Sequence, residues 1–91
     1  MITILKYPNN AIYAKGTSVN NKREGLWIEY YTNDNLSAYG SYIHDIEHGH
    51  WIEWHRNGNI CQEGDYNFGK RIGIWKFYDE TGKLYNITDY I

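Results

Sequence analysis

Cysteine, proline and long apolar runs are nearly absent from this chain, and each scarcity excludes something. Cys61 is the only cysteine, so no intrachain disulfide can form and no thiolate zinc site can be assembled. It reads as a small, half-buried hydrophobe. Pro8 is the only proline, and a proline-poor chain rich in aromatics favours strands. No stretch reaches the roughly 20 apolar residues of a membrane span, and the apolar run within Met1–Lys6 is too short for a signal peptide. A soluble, cytoplasmic protein is the expectation. Charge of one sign is lacking too: 9 Lys+Arg against 11 Asp+Glu leave a net charge of -2. Without a basic excess, nucleic acid is a poor partner. With 91 residues, a single domain over 1–91 is expected, with little room for a catalytic cleft enclosed by two lobes.

What is abundant is aromatic: 18% of residues, with Tyr occurring 10 times. These residues recur. Trp27, Trp51 and Trp75 are 24 apart, and Gly25, Gly49 and Gly73 precede them by two residues. The same step links Tyr30, Trp54 and Tyr78, then Leu36, Ile60 and Leu84, then Tyr42, Tyr66 and Tyr90. An uninterrupted period of this length signals a repeat architecture. Copies are assigned to 25–48, 49–72 and 73–91. Residues 1–24 form an eroded capping copy in which Ile12 matches Leu36, Gly16 matches Gly40, and Thr3 stands where a Trp would.

Each copy reads as a β-hairpin. Arg56-Asn57-Gly58-Asn59 and Glu80-Thr81-Gly82-Lys83 put Gly where a turn needs positive φ, and Asn33-Asp34 fills the same place with residues that tolerate it. A two-residue turn at Asn57-Gly58 sets Trp51 opposite Gly64 and Gly49 opposite Tyr66. Each ring is then expected to cover the glycine it faces, with Thr88 a terminal departure opposite Trp75. Hairpins placed side by side give an all-β fold, a single antiparallel meander whose aromatic rows form the core. A stacking platform for sugars or bases is the alternative use of such rows.

Gly40-Ser41-Tyr42 through Gly49-His50-Trp51, and Gly64-Asp65-Tyr66 through Gly73-Ile74-Trp75, resemble MORN repeats. The likeness is to the bacterial variant built on Gly-x-Trp-x-x-Tyr, Asn-Gly-x-Leu and Gly-x-Tyr segments, and it covers nearly the whole chain. It implies a non-catalytic scaffold that binds another protein, with an antitoxin or small inhibitor among the roles, and sometimes a lipid-associated module. It implies no cofactor and no catalytic residue.

Differences between copies point to candidate binding residues. Ile43-His44-Asp45-Ile46-Glu47-His48-Gly49-His50 is read as a divergent loop, with Ile46-Glu47 where its counterparts carry basic pairs. His44, Asp45, Glu47, His48 and His50, flanked by Tyr39, Trp54 and His55, are therefore the candidate partner-binding set, since aromatic anchors are enriched at interfaces. The four histidines invite a metal reading, but their spacing matches no zinc motif, so no metal site is assigned. Lys22-Arg23 and Lys70-Arg71 are expected to project from one edge of the array, as a footing for anionic lipid headgroups or phosphoinositides. Glu29 and Glu53 occupy equal positions in neighbouring copies. They could raise one another's pKa, but no nucleophile accompanies them, and they are read as exposed side chains splayed into water. The outer strands leave edges through which a homodimer could form.

Overall fold

Alternating patterning and turn residues divide the chain into eight strands: β1 (Ile2–Lys6), β2 (Ile12–Val19), β3 (Lys22–Tyr30), β4 (Leu36–Ile43), β5 (Ile46–Trp54), β6 (Ile60–Asn67), β7 (Lys70–Tyr78) and β8 (Leu84–Tyr90). The computed structural model describes residues 1–91, and in it each strand pairs antiparallel with the next in a single eight-stranded sheet. Eight strands spaced about 4.8 Å apart span roughly 34 Å, and nine residues at about 3.3 Å each span roughly 30 Å. The molecule measures 37 × 30 × 14 Å. It is therefore one layer thick, and both faces of the sheet are free of any covering element.

Two kinds of turn alternate. Asn20-Asn21, His44-Asp45 and Phe68-Gly69 all have positive φ, from 46° at Phe68 to 85° at Gly69. These are two-residue turns of the type whose twist suits adjacent strands. They join one hairpin to the next. Within the hairpins the turn is longer: His55 N donates to Asn59 O, and Gly58 N donates back to His55 O. Gly58 takes φ 99°, with Asn10, Asp34 and Gly82 in the equivalent places at 75°, 69° and 91°. The expected two-residue turn at Asn57-Gly58 is thus corrected, while the pairing inferred from it stands. Trp51 lies opposite Gly64 and Gly49 opposite Tyr66 because a bulge at Glu53/Trp54 absorbs the extra residue.

The divergent loop is also corrected. Only His44-Asp45 form a turn, and Ile46–Trp54 is strand β5. Between hairpins the register slips again, so that Tyr39 faces Ile52 but Ser41 faces His48. The residues gained on β5 include Gly49, at φ 88°, with Gly25 and Gly73 in the same conformation on β3 and β7. A side chain at Gly49 would meet nothing within 4 Å. The glycine is required by backbone conformation there, and not by a covering ring.

The core occupies one face. Ala14, Trp27, Tyr42, Trp51 and Trp75 are its buried side chains, and Gly40 and Gly64 lie buried beneath them. Each indole reaches back over the preceding hairpin. A Cβ built on Gly16 would lie 2.4 Å from Trp27, on Gly40 2.1 Å from Trp51, and on Gly64 2.3 Å from Trp75. The Nε1 groups point the same way, donating to Thr17 O, Ser41 O and Asp65 O at 2.8, 3.1 and 3.0 Å. The expectation that a ring covers the glycine it faces within its own hairpin is therefore overturned. Thr88 follows directly: no later indole lies over it, so β8 can carry a side chain where β2, β4 and β6 cannot.

Tyrosines fill the gaps between indoles. Tyr42 stands edge-on to Trp27 and Trp51, Tyr66 to Trp51 and Trp75, and Tyr90 to Trp75, with centroids 5.0–6.5 Å apart. Such edge-to-face contacts add roughly 0.5–1.5 kcal/mol each to the burial of the rings. Continuous aromatic packing of this kind replaces the second layer that a sheet ordinarily needs. The row Tyr30, Trp54 and Tyr78 does not belong to it. Tyr30 meets Lys15 and Tyr78 donates to Glu63, and these partners lie on the opposite face.

Candidate functional site

The four histidines are not brought together. His44 sits in the turn at one edge, where its Nδ1 is 2.6 Å from Glu24 Oε1 and its backbone N–H donates to the same oxygen at 2.8 Å. Asp45 accepts from both N and Nε of Arg23 at 2.8 Å, which holds its carboxyl below the usual range. His48 Nδ1 accepts the backbone N–H of Phe68 at 3.2 Å, with the two rings 4.5 Å apart. These contacts tie each two-residue turn to its neighbour. His55 lies just past the far end of β5, about 23 Å along the chain from His48 at roughly 3.3 Å per residue. Its Nε2 donates to Tyr78 O at 2.8 Å.

His55 belongs to a second column of the repeat. Tyr7 OH donates to Tyr30 O and Tyr31 OH to Trp54 O, each reaching one copy ahead. Asn35 and Asn59 extend the stitching at the turns, their side-chain amides donating to Arg56 O and Glu80 O at 2.9 and 2.8 Å. Tyr7, Tyr31 and His55 are spaced by 24, as are Asn35 and Asn59. The periodic signal was available and marks a structural role.

Both arginines of the basic pairs are folded onto the aromatic face. Arg23 lies 4.2 Å over the Tyr42 ring while bonded to Asp45, and Arg71 lies 4.4 Å over Trp75 and donates to Tyr90 OH at 3.2 Å. Guanidinium groups stack on rings in this manner. Only Lys22 and Lys70 of the two pairs are exposed, so the edge presents two free ammonium groups, with Arg23 paired to Asp45 and Arg71 turned onto the rings. Burial pushes the Tyr42 phenol up to about 12, with Glu29 adding to the shift and Arg23 opposing it.

Glu47 replaces an arginine at the equivalent place in β5. It shares the aromatic face with Glu29 and Glu53, which flank Ala38 from the two neighbouring strands. These carboxylates do not splay into water as expected. Glu29, Glu47 and Glu53 are half-buried, Gln62 donates to Glu53 at 2.7 Å, and burial raises the Glu29 carboxyl, with Glu53 and Glu47 adding to the rise.

The remaining candidates meet on the other face. Ile4, Lys15 and Ile28 lie side by side across β1–β3, Tyr39 and Ile52 continue the row on β4 and β5, and Glu63, Lys76 and Ile87 complete it. Beside it runs Leu26–Ser41, then His50–Asp65, then Ile74–Asp89. Leu26, Ile74 and Ile87 are each more than half exposed. His50 stands at 3.0 Å from Asp65 and 3.8 Å from Glu63. Tyr39 and His50 thus share a surface of half-buried and exposed aliphatic side chains interspersed with Lys15, Glu63, Asp65 and Lys76, and Trp54 holds the same repeat position as Tyr30 and Tyr78. The aliphatic members were not singled out from the sequence, although the alternation of β3 and β7 carries them. The largest concavity, about 620 Å³, lies elsewhere, beside Thr3, Leu5 and Ser18 at the end of the aromatic ladder.

The family description "MORN repeat variant" matches residues 23–44, 47–67 and 71–91. Each matched segment corresponds to one of the hairpins β3–β4, β5–β6 and β7–β8. A search of curated proteins gave no match. Repeats of this kind generally mediate binding to proteins or membranes, and proteins built from them are generally non-catalytic. With more than half of its length matched in the register of its hairpins, the chain belongs to the MORN repeat variant family.

Proposed function

We propose that this chain is a protein-binding module that docks a partner on the face opposite its aromatic ladder, masking a functional surface of that partner as an antitoxin or small inhibitor does. The observation that carries this reading is the uncovered row of aliphatic and aromatic side chains around Tyr39 and Ile52 on a sheet one layer thick. Apolar surface rimmed by polar groups marks interaction sites, and Tyr and Trp are the anchors that truncation penalises most. His50 with Asp65 and Glu63 supplies a polar rim beside them. Membrane association has less support, because two free ammonium groups offer only about 2 kcal/mol of attraction to an anionic surface at about 1 kcal/mol each.

The test is capture from lysate of the source organism on immobilised protein, comparing wild type with Ile52→Lys and with Tyr39→Ala. A single stoichiometric protein held by the wild type, kept by His44→Ala and lost by both face variants is the expected result. Retention by Ile52→Lys would remove this face from the interaction.

A further inference from the structure

The edge strands β1 and β8 carry two departures from the repeat that fit one another. Wherever one hairpin follows another, an indole lies on a glycine of the hairpin before it: Trp27 on Gly16, Trp51 on Gly40 and Trp75 on Gly64. On β1 the indole position is Thr3, and on β8 the glycine position is Thr88. A Cβ at the glycine position lies 2.1–2.4 Å from the indole in all three internal junctions. β8 therefore cannot receive a tryptophan-bearing strand in this register. It can receive one with a small residue at that place, and β1 is such a strand.

Transferring the β6–β7 register by whole repeats shows what would meet. Gln62 opposite Phe77 becomes Asn86 opposite Leu5, and Glu63 opposite Lys76 becomes Ile87 opposite Ile4. Ile4 and Ile87 are 51% and 54% exposed. At the internal junctions the residues in these places stand directly opposite one another, as Lys15 and Ile28, Tyr39 and Ile52, and Glu63 and Lys76 do. On the other face Tyr90 would come beside Thr3, where Tyr42 and Tyr66 stand 5.0 Å from Trp51 and Trp75. That place borders the concavity next to Thr3 and Leu5.

We propose that a second copy of this chain adds its β1 to β8 of the first, with Thr3 over Thr88 and Ile4 against Ile87, continuing the sheet head to tail. The contact joins two different edges, so it leaves a free β8 and a free β1 and extends instead of closing at two. With only five residues in β1, it falls short of the roughly 1,200 Å² of stable interfaces, and the association is weak and concentration-dependent.

Sedimentation velocity over a concentration series tests this with the wild-type 91-residue chain, Thr3→Trp and the double variant Thr3→Trp/Thr88→Gly, each checked for native circular dichroism. The wild type is expected to pass beyond dimer as concentration rises. Thr3→Trp should shift toward monomer because the indole meets the Thr88 side chain. The double variant recreates the internal junction and should assemble at least about tenfold more tightly than wild type, the factor that corresponds to about 1.4 kcal/mol. As a second arm, Ile87→Glu and Ile4→Lys should each weaken assembly alone, while an equimolar mixture recovers it by setting opposite charges across the junction, in the register that Glu63 and Lys76 occupy between β6 and β7. A wild type that remains monomeric to its solubility limit, or stops at dimer, would overturn the proposal. So would Thr3→Trp assembling as wild type does, or a mixture that fails to recover.

Discussion

Replacing Gly64 by alanine isolates the contact on which the core depends. The new methyl carbon would sit 2.3 Å from Cδ2 of Trp75, whose side chain is fully buried. Neither group can yield cheaply, since the glycine is backbone and the indole is held by its bond to Asp65 O and by Tyr66 and Tyr90 on either side. Local shifts to relieve overpacking typically cost about 1–3 kcal/mol. Displacing the ring entirely would forfeit roughly 150–250 Å² of burial, or about 4–6 kcal/mol at about 25 cal/mol per Å². A loss of about 3 kcal/mol is therefore expected, a large share of the roughly 5–15 kcal/mol of a typical domain. Urea unfolding followed by tryptophan fluorescence measures it. Thr88→Ala, at the same repeat position but under no ring, should stay within about 0.5 kcal/mol of wild type. A double-mutant cycle adds direction: Gly64→Ala should couple to Trp75→Phe and not to Trp51→Phe. Equal losses at positions 64 and 88, or coupling to Trp51 in place of Trp75, would refute the reasoning.

Gly73→Ala tests the other class of glycine; at φ 67° with open space around it, it should cost about 1–2 kcal/mol of backbone strain in the same urea assay, and Gly73→Asn less. Tyr31→Phe removes the hydroxyl that donates to Trp54 O and should lower stability by about 1 kcal/mol in chemical denaturation. Glu29 provides the pH test. Its carboxyl is raised above 4.5, chiefly by burial, so folding favours the protonated form. That contribution is fully present below the unfolded value and is lost as pH rises through the folded one. Glu29→Gln should therefore stabilise the protein at pH 7, with the gain shrinking toward zero near pH 4, as seen in urea midpoints at the two pH values.

The candidate site was legible only in pieces. Tyr39 stands out as an aromatic and His50 as a departure from the repeat, and both lie on the face opposite the aromatic ladder. His44 and His48 lie in the stretch that departs from the repeat and His55 flanks it, yet each is a hydrogen-bonding post, at the Glu24 carboxylate, the Phe68 amide and the Tyr78 carbonyl. Sequence proximity along a strand carried them apart, since a seven-residue separation in extended chain crosses most of the sheet. Charged side chains such as Arg23 and Arg71 are usually exposed. Rings that offer a face to a guanidinium reverse that preference, and a one-dimensional pattern does not show where those faces point.

The period of 24 and one hairpin per copy were determined by the sequence alone, because they rest on recurrence and on local turn residues; the pairing within the central hairpin matches the arithmetic only because the bulge at Glu53/Trp54 absorbs the extra turn residue. Which glycine each indole covers was decided only in three dimensions. The bulges at Gly25, Gly49 and Gly73 shift the register between hairpins, and the side chains lean back across that junction. Their direction follows from packing against a strand of the preceding copy, a contact that no local rule of turn or alternation encodes.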